Sequence, residues 1–451
     1  MNTGDELTVK IDGFSNLGFG IAKVNGFVIF IENSCPGDEV KIKLTKVTKN
    51  YANGDIIEII TPSEHRVKPF CAMQKVCGAC QMQFIDYDYQ LKLKQHIVEE
   101  AIQHIAGLNI EIPMPIQSPS TKEYRHKIQY PVAQTKVSKR LLAGYYKPKS
   151  HEIVNIKHCP IQPQICDAII DFIRENAPAF NITGYNEKTH TGDLRHVVLR
   201  CSATEDKVLV TLVLNSETAN KNIRNFAKEI LAKIPQVTGV CANFNNKKTN
   251  VILSSKTECI TGNNFVEEKI LDKTFKIGAN TFFQVNPKSA ENIFRYVKDY
   301  IKNNLPDAVV LDAYAGVTSF GICISDVCKQ VVSVEENPES VILGKKIAAD
   351  NGIENIEFHN EDAGKFFKRE KRKFDAVILD PPRKGCSKES LDEAFRLAGD
   401  TIIYVSCNPA TLARDLKILT EKGCRVESIQ PFDMFCHTYH VENVAVIKKI
   451  S

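Results

Sequence analysis

The 451-residue chain lacks any apolar stretch long enough to cross a bilayer. Its first ten residues, MNTGDELTVK, also lack the apolar segment of a secretory signal peptide. We therefore expect a cytoplasmic protein that makes no membrane contact. The chain has no repeat of fixed period and no low-complexity tract, and its length and 43% hydrophobic content are enough for two or three hydrophobic cores.

The sequence also lacks a strong overall charge. The net charge is only +4, so a surface that binds nucleic acid must be local. Residues 122–158 are the best candidate, because they contain nine Lys or Arg against two Glu and are interleaved with tyrosines: Tyr124, Tyr130, Tyr145 and Tyr146. Basic and aromatic side chains together suit phosphate contact and base stacking. A solvated loop face is the alternative interpretation.

The 15 cysteines are of two kinds. Cys71, Cys77 and Cys80 form the pattern C-x5-C-x2-C, and Cys159 lies far downstream in a His-Cys-Pro sequence. Three closely spaced cysteines with one remote partner are a ligand set for an iron–sulfur cluster. Zinc is the competing metal, because four thiolates suit it equally well. The other cysteines are scattered, as is typical of proteins in a reducing compartment.

The C-terminal part alternates apolar strands with polar turns and helices, which predicts an open α/β sheet of the Rossmann type. In the stretch IIYVSCNPATLARD an apolar run ends at Val405 and leads into a turn that contains Cys407. In KFDAVILDPPRKG a second strand, Phe374 to Leu379, stops at Asp380. AVVLDAYAGVTSFGI reads as a strand, a glycine turn and a helix, and VVSVEE places Glu335 at the tip of the next strand. The motif GxGxxG is absent, which favours a cofactor without phosphates.

The first 62 residues are typical of a small β-barrel. Alternating strands are separated by Gly, Asn and Asp turns, and they predict five strands. Residues 63–278 mix strands and helices, so we expect a central α+β domain that holds all four clustered cysteines. Helical spacing of apolar residues predicts an amphipathic helix over 89–106, which we expect to pack on the C-terminal domain. The remaining domain spans 279–451.

Five motifs occur in an order typical of one enzyme family: LDAYAG, VSVEE, ILDPPRKG, YVSCNPATLARD and MFCHTYHVENVAVI. On these motifs the chain resembles the RNA (uracil-5-)-methyltransferases, which use S-adenosylmethionine. SCNPATLARD is the most specific string, whereas DPPR and the glycine turn occur in many methyltransferases. Near the N-terminus, SCPGDEV and KNYANGDIIEI resemble the TRAM module, an OB-like RNA-binding fold.

The resemblance assigns catalytic roles to two residues. Cys407 is then the nucleophile that adds to carbon 6 of uracil, and Glu442 accepts the proton from carbon 5. From residue type alone, a buried cysteine is more often a packed thiol, and Glu442 is more often a solvated carboxylate at a strand edge. His437 and His440 flank Glu442 and are alternative bases on pKa grounds.

The resemblance also implies a cofactor site. The residues expected around S-adenosylmethionine are Gln284, Tyr314, Ser319, Glu335, Asp362 and Asp380. Phe282 is expected to stack on the target base, whereas Phe283 is expected in the core. Many members of the family carry Asn at the position of Ser319. The fine geometry of the glycine turn is therefore expected to differ from theirs, whereas the cofactor is expected to be the same.

The resemblance favours a [4Fe–4S] cluster over zinc, because the CGAC and HCP contexts match members of the family that carry a cluster. It also favours 23S ribosomal RNA as the substrate, with transfer RNA as the alternative, and a monomer. Two other classes stay open on the residues alone. These are an amino-group methyltransferase, which would have no use for Cys407, and an iron–sulfur protein that binds RNA without catalysis.

Overall fold

The computed structural model describes residues 1–450. The first sheet has six strands in the spatial order β1-β5-β6-β4-β3-β2. Their bounds are β1 Glu6–Lys10, β2 Gly13–Phe14, β3 Gly20–Val24, β4 Phe27–Ile31, β5 Glu39–Val47 and β6 Tyr51–Thr61. The prediction of five strands was wrong, because the two-residue strand β2 is too short to produce an alternating pattern.

The middle of the chain forms a second sheet in the order β12-β11-β10-β9-β7-β8, followed by the hairpin β13-β14. The bounds are α1 Tyr87–Ala101, β7 Lys127–Gln134, β8 Leu141–Ala143, α2 Gln164–Asn176, β9 Leu194–Cys201, β10 Val208–Leu214, α3 Lys221–Lys233, β11 Val237–Phe244, β12 Thr257–Gly262, β13 Phe265–Ile270 and β14 Lys273–Gly278. A π-helical turn, Ile102–Ala106, extends α1.

The core of this region corrects one expectation about the basic tract. Tyr124 and Tyr130 are buried with the apolar faces of α2 and α3. Their rings are therefore core residues and cannot stack on bases. Tyr145 packs against the same core at its edge. Of the four tyrosines only Tyr130 lies within a strand, β7, so packing in this core and not a stacking surface accounts for Tyr124 and Tyr130.

The C-terminal part forms a third sheet in the order β17-β16-β15-β18-β19-β21-β20. The bounds are α4 Pro287–Asn304, β15 Val309–Ala313, α5 Ser319–Ile324, β16 Gln330–Glu335, α6 Pro338–Asp350, β17 Ile356–Asn360, α7 Ala363–Arg369, β18 Phe374–Leu379, α8 Lys388–Leu397, β19 Ala398–Ser406, α9 Pro409–Glu421, β20 Cys424–Phe432 and β21 Glu442–Lys449. Strands β15 to β19 pair in parallel, and β21 pairs antiparallel to both β19 and β20.

Helix α1 joins the earlier part of the chain to the third sheet. Val98, Ile102 and Ala106 share a core with α9 residues, including Leu412 and Leu416. The predicted bounds of 89–106 differ at the start, because Asp86 caps the helix by accepting a hydrogen bond from the Tyr89 backbone N–H. The helix therefore begins two residues earlier, at Tyr87.

The loop between β20 and β21 is held by distant parts of the chain. Lys94 Nζ on α1 donates to Asp433 Oδ1 at 2.5 Å, and both side chains are completely buried. The backbone N–H groups of Gln81 and Met82, next to Cys80, both donate to the His437 carbonyl at 2.9 Å. This loop therefore links α1, the cysteine segment and the third sheet. No helix in the described part of the chain has the length and apolar character needed to span a membrane.

Candidate active site

The carboxyl ends of β15, β16, β18 and β19 meet at one edge of the third sheet. In the spatial order, β15 lies between β16 and β18, so the chain runs outward from β15 in both directions. Open α/β sheets bind ligands at such a switch point. A cavity of about 1150 Å³ opens there.

Every residue predicted for the cofactor or the target base lines this one cavity, although the residues come from segments scattered over 160 positions of the sequence. They are Phe282, Gln284, Tyr314, Ser319, Glu335, Asp362, Asp380, Cys407 and Glu442. Phe282 is 65% exposed, whereas Phe283 is buried as expected. The structure therefore brings the predicted set together around one space.

The turn after β15 has an unusual backbone. Tyr314, Gly316 and Thr318 all adopt positive φ angles, of 63°, 57° and 64°. For residues other than glycine this conformation costs about 1–2 kcal/mol. Glu335 holds the turn in place, because its carboxylate accepts hydrogen bonds from the backbone N–H groups of Gly316 at 2.9 Å and Asn337 at 2.8 Å. Ser319 is then the first residue of α5.

A buried carboxylate that the sequence analysis did not single out supports the same turn. Asp312 Oδ2 accepts a hydrogen bond from the Gly321 backbone N–H at 2.9 Å, while Oδ1 has no partner among the described residues. Burial raises the pKa of Asp312 to about 7, and the nearby Asp380 and Glu335 add to the shift. The available signal was a charged residue within the otherwise apolar strand β15, since Asp is rarely fully buried unless it is paired.

Cys407 and Glu442 approach each other through the pairing of β19 with β21. Ser406 and Asn443 are partners in this antiparallel pair, so the next residue of each strand, Cys407 and Glu442, lies beside the other at the sheet edge. Asn443 Nδ2 donates to the Ser406 carbonyl at 3.4 Å. Glu442 is 8% exposed, so the expectation of a solvated carboxylate from residue type was wrong.

Burial controls the protonation of these groups. Burial raises the pKa of the Cys407 thiol to about 11, and the charge of Glu442 raises it further while Arg383 opposes the shift. Burial, followed by the charge of Asp380, raises the pKa of Glu442 to about 8. Burial also raises the pKa of Asp380 to about 7. The site therefore holds a thiol beside a carboxyl group whose pKa suits proton transfer near neutral pH.

Two cavity residues were missed by the sequence analysis. Arg383 lines the cavity and its charge lowers the pKa of both Cys407 and Glu442. The signal was present in the DPPR motif, where only Asp380 was considered. Phe435 also lines the cavity, and its carbonyl accepts a hydrogen bond from Lys94 Nζ at 3.0 Å. Nothing in the local sequence distinguishes Phe435 from a core phenylalanine.

The two histidines near Glu442, His437 and His440, lie outside the cavity wall. The ring of His437 donates from Nε2 to the Thr121 carbonyl at 2.9 Å and accepts at Nδ1 from Gln90 Nε2 at 3.3 Å. Burial lowers the pKa of His437 and of His440 to about 4. Within residues 1–450 neither ring belongs to the cavity wall, so Glu442 is the better placed base.

The four predicted metal ligands line a second, much smaller cavity. Cys71, Cys77, Cys80 and Cys159 surround it, and all four are free thiols. The Cys159 backbone N–H donates to Asp167 Oδ2 at 3.2 Å, and the Cys71 N–H donates to Gln83 Oε1 at 3.2 Å. No group of three or more His, Cys, Asp or Glu side chains within residues 1–450 has the spacing of a metal centre. The donor set fits a soft metal, although its atoms do not adopt a coordination geometry.

The large cavity fits an adenosyl cofactor in its chemistry. It offers a carboxylate, Glu335, at the end of β16 for ribose hydroxyls, and Asp362 at the start of α7 beyond it. The turn after β15 has one glycine and no phosphate cradle. A phosphate-free nucleoside cofactor therefore matches the residues present.

The chain is similar to proteins of one enzyme family. The family "tRNA (Uracil-5-)-methyltransferase" matches residues 86–450, and the TRAM domain matches residues 2–57. An uncharacterized RNA methyltransferase of Clostridium acetobutylicum is 36% identical over 99% of this chain and 97% of its own length. A second, from Synechocystis sp., is 34% identical over 99% of this chain and 96% of its own length.

A solved structure is similar over the whole chain. The tRNA (uracil-54, C5)-methyltransferase of Pyrococcus abyssi, in complex with S-adenosyl-L-homocysteine, has a TM-score of 0.78 and 26% identity, covering 98% of this chain and all of that one. The matched family covers most of the chain and includes every residue of the large cavity. The chain therefore belongs to the tRNA (uracil-5-)-methyltransferase family and is an S-adenosylmethionine-dependent RNA (uracil-5-)-methyltransferase with an N-terminal TRAM domain.

Proposed function

We propose that Cys407 is the nucleophile and Glu442 the proton acceptor of uracil methylation. The observation that carries this proposal is the register of β19 and β21, which sets the two side chains next to each other in one cavity. A thiol and a base within one site are what addition to uracil followed by proton removal requires.

The chemistry follows from the weak nucleophilicity of carbon 5. Cys407 loses its proton to solvent and its sulfur forms a bond to carbon 6, which breaks the π bond between carbons 5 and 6 and moves an electron pair onto the carbonyl oxygen at carbon 4. Bound S-adenosylmethionine would supply an electrophilic methyl group, which carbon 5 takes as the bond between the methyl group and the sulfonium sulfur breaks and S-adenosylhomocysteine is released. Glu442 then accepts the proton of carbon 5, the double bond re-forms, and the sulfur of Cys407 leaves with its electron pair.

The cofactor site consists, in this proposal, of Gln284, Tyr314, Ser319, Glu335 and Asp362, with Asp380 between cofactor and uracil. The Glu335 carboxylate supports this, because its hydrogen bonds to Gly316 and Asn337 hold it at the mouth of the turn. Phe282 is proposed to stack on the flipped base, which offsets part of the few kcal/mol lost on unstacking. Its 65% exposure at the rim of the cavity supports this role.

The test is covalent trapping. The protein is incubated with S-adenosylmethionine and RNA that contains 5-fluorouridine, since fluorine at carbon 5 cannot leave as a proton. We expect an adduct on a denaturing gel, mapped by peptide mass to Cys407. Cys407→Ala should form none, whereas the control Cys259→Ala, which removes an exposed thiol of the central sheet, should form it normally. Failure with ribosomal and transfer RNA alike, with cofactor bound, would contradict the mechanism.

The preferred substrate is 23S ribosomal RNA, and transfer RNA is the alternative. A TRAM domain together with four clustered cysteines supports ribosomal RNA through the family resemblance. The similarity to a tRNA (uracil-54, C5)-methyltransferase of Pyrococcus abyssi supports the alternative. Trapping with each RNA separately distinguishes them, because only the true substrate yields the Cys407 adduct at low protein concentration.

We also propose that Cys71, Cys77, Cys80 and Cys159 hold a [4Fe–4S] cluster with a structural or RNA-folding role. Their convergence on one cavity from two distant segments supports it. Anaerobic purification should give about four iron and four sulfide per chain, whereas about one zinc would favour the alternative. Cys159→Ser should lose the iron, and the control Cys241→Ser should keep it. Loss of methylation on reduction of an intact cluster would contradict a purely structural role.

The proposed domains are 1–62, 63–278 and 279–451, each of which contains one of the three large sheets. We propose that the protein acts as a cytoplasmic monomer. Sedimentation at micromolar concentration tests the monomer, and a dimer would contradict it. Fractionation of cells with an antibody to the protein tests the location.

A further inference from the structure

Two cations face each other on neighbouring strands of the central sheet. Lys127, the first residue of β7, and Arg200 on β9 are direct partners in the antiparallel register. Like charges in this position are destabilising. Arg200 is 3% exposed, so its charge is also removed from water. Such a pair needs compensation that the sheet itself does not supply.

The chain offers the pair no anion. No salt bridge between described residues involves Lys127 or Arg200, and Arg200 Nε has no hydrogen-bond partner among them. Arg200 does donate from Nη2 to the Thr281 carbonyl. Burial, with the charges of Arg200 and Arg125 added, lowers the pKa of Lys127 to about 7. No carboxylate of the described residues therefore offsets the charge of this pair.

The pair lies beside the segment that carries Phe282. Arg200 donates a hydrogen bond to the carbonyl of Thr281, the residue before Phe282. From the other strand, the His126 backbone N–H donates to the Val285 carbonyl at 2.7 Å. Lys288, exposed on the first turn of α4, adds a third positive charge. Burial lowers the pKa of His126, and the charge of Lys288 lowers it further. Arg200 and Lys288 therefore lie beside the segment 281–285, and Lys127 lies opposite Arg200 on the neighbouring strand.

The cations also point toward the catalytic part of the molecule. Ile128 and Tyr130 on β7 face the core with α2 and α3, so Lys127 lies on the opposite face. Leu209, the partner of Arg200 on β10, packs in the core that contains Phe283. Lys127 and Arg200 are thus on the sheet face next to the candidate active site.

We propose that Lys127 and Arg200 form a binding site for one backbone phosphodiester of the RNA, adjacent to the target uridine. This inference rests on the proposed function, because it identifies the part of the RNA that lies next to Phe282. A phosphodiester supplies the missing anion, and the Lys127 ammonium together with the Arg200 N–H groups not donated to Thr281 would form charge-assisted hydrogen bonds to it. The cofactor has no phosphate, so RNA is the anion source that this enzyme meets.

The experiment uses the full-length protein and whichever RNA forms the Cys407 adduct. Single phosphates on either side of the target uridine are replaced, one at a time, by neutral methylphosphonates. With the unmodified protein, one position should weaken binding about tenfold, the effect expected for a charge-assisted hydrogen bond. With Lys127→Met, RNA binding should be weaker overall, and neutralising that same phosphate should have no further effect.

Lys302→Met is the matched control. It removes the same charge from the last turn of α4, at the end of the helix opposite Lys288. It should keep the full tenfold loss at the sensitive phosphate. Lys127→Arg should retain most of the affinity and the sensitivity. If Lys127→Met fails to fold, as judged by cofactor binding and thermal unfolding, Lys127→Gln takes its place.

Two results would overturn the proposal. Equal losses at every phosphate for the unmodified protein and Lys127→Met would show that Lys127 contacts none of them. Inorganic phosphate that competes with RNA for the unmodified protein and for Lys127→Met to the same extent would place the anion elsewhere. Absence of any Cys407 adduct is a different result, since it would contradict the proposed function itself.

Discussion

Cys407 and Glu442 are neighbours where the paired strands β19 and β21 meet the cavity, and the charge of Glu442 raises the pKa of the Cys407 thiol. In the proposed mechanism, Glu442 acts only after the sulfur bond and the methyl group are in place. Glu442→Gln should therefore allow addition and methyl transfer but block proton removal. We expect turnover to fall by about 10²–10⁴-fold.

The same variant should accumulate a covalent protein–RNA adduct with ordinary uridine, without fluorine. A denaturing gel measures this, and Cys407→Ser combined with Glu442→Gln should abolish it. Glu421→Gln, an exposed residue at the end of α9, is the control and should behave as the unmodified protein. A fall in turnover without an adduct would mean that Glu442 acts before the sulfur bond forms.

The reaction should depend on pH through Glu442. Burial and the charge of Asp380 set its pKa at about 8, and only the ionised form accepts a proton. Ionisation of Cys407, whose pKa is about 11, also raises the rate, so we expect kcat/KM to rise more steeply with pH below about 8 than above it. Glu442→Gln should remove the change of slope near pH 8 from its residual activity and keep the rise due to Cys407.

The free energy of unfolding should fall as the pH rises, whereas kcat/KM should increase. The pKa of Glu442 is raised on folding, so its neutral form stabilises the fold fully below pH 4.5, and this contribution is lost as the pH rises through about 8. Urea unfolding at pH 5 and pH 8.5 measures it. The free-energy difference between the unmodified protein and Glu442→Gln should shift by up to roughly 4 kcal/mol between these pH values.

The reactivity of Cys407 should respond to its two charged neighbours with opposite signs. Arg383 lowers the pKa of the thiol and Glu442 raises it. At pH 9, where Glu442 is ionised, Glu442→Gln should speed alkylation of Cys407 by iodoacetamide, and Arg383→Met should slow it. Each change should be about tenfold or less, corresponding to one pKa unit. Peptide mass spectrometry measures modification of Cys407 separately from the other thiols, and a shift of the same sign in both variants would contradict this arrangement.

The buried pair of Lys94 and Asp433 should be a strong determinant of stability. Lys94→Met leaves Asp433 charged and buried, with the Tyr87 hydroxyl, 2.7 Å from Oδ2, as its main remaining donor. We expect a loss of about 3–5 kcal/mol in the free energy of unfolding. Combining Lys94→Met with Asp433→Asn should recover much of it, because the unpaired charge is gone. Denaturant midpoints test this, and a loss below about 1 kcal/mol for Lys94→Met would show that the pair is not stabilising the loop.

Local patterns account for what could be predicted. Cys407 and Asp380 follow apolar strands and precede prolines, and those short-range signals are enough to place both at strand ends. The spacing of Cys71, Cys77 and Cys80 made them candidates for one site for the same reason. Glu442 was different, because its burial depends on β19 and β20, which pair with β21 on either side. The sequence of β21 alone therefore does not predict that Glu442 is buried.

Residues that act over long distances were the ones that sequence reasoning missed. Lys94 reads as a polar position of an amphipathic helix, yet its partner Asp433 is 339 positions away. Tyr124 and Tyr130 read as aromatic members of a basic surface, yet the packing of α2 and α3 buries them. The opposition of Lys127 and Arg200 depends on the register of β7 with β9, which involves residues 73 positions apart.

The order of strands and turns along the chain was enough to predict the type of fold and a cofactor without phosphates, because both depend on periodicity and turn chemistry, which act over a few residues. S-adenosylmethionine and the role of Cys407 came from the resemblance of longer motifs to one family. The folded molecule added the burial that raises the pKa of Glu442, the convergence of Cys159 with the other three cysteines, and the unpaired cations beside Phe282. Those features arise from strand register and side-chain packing between distant segments, which local composition does not encode.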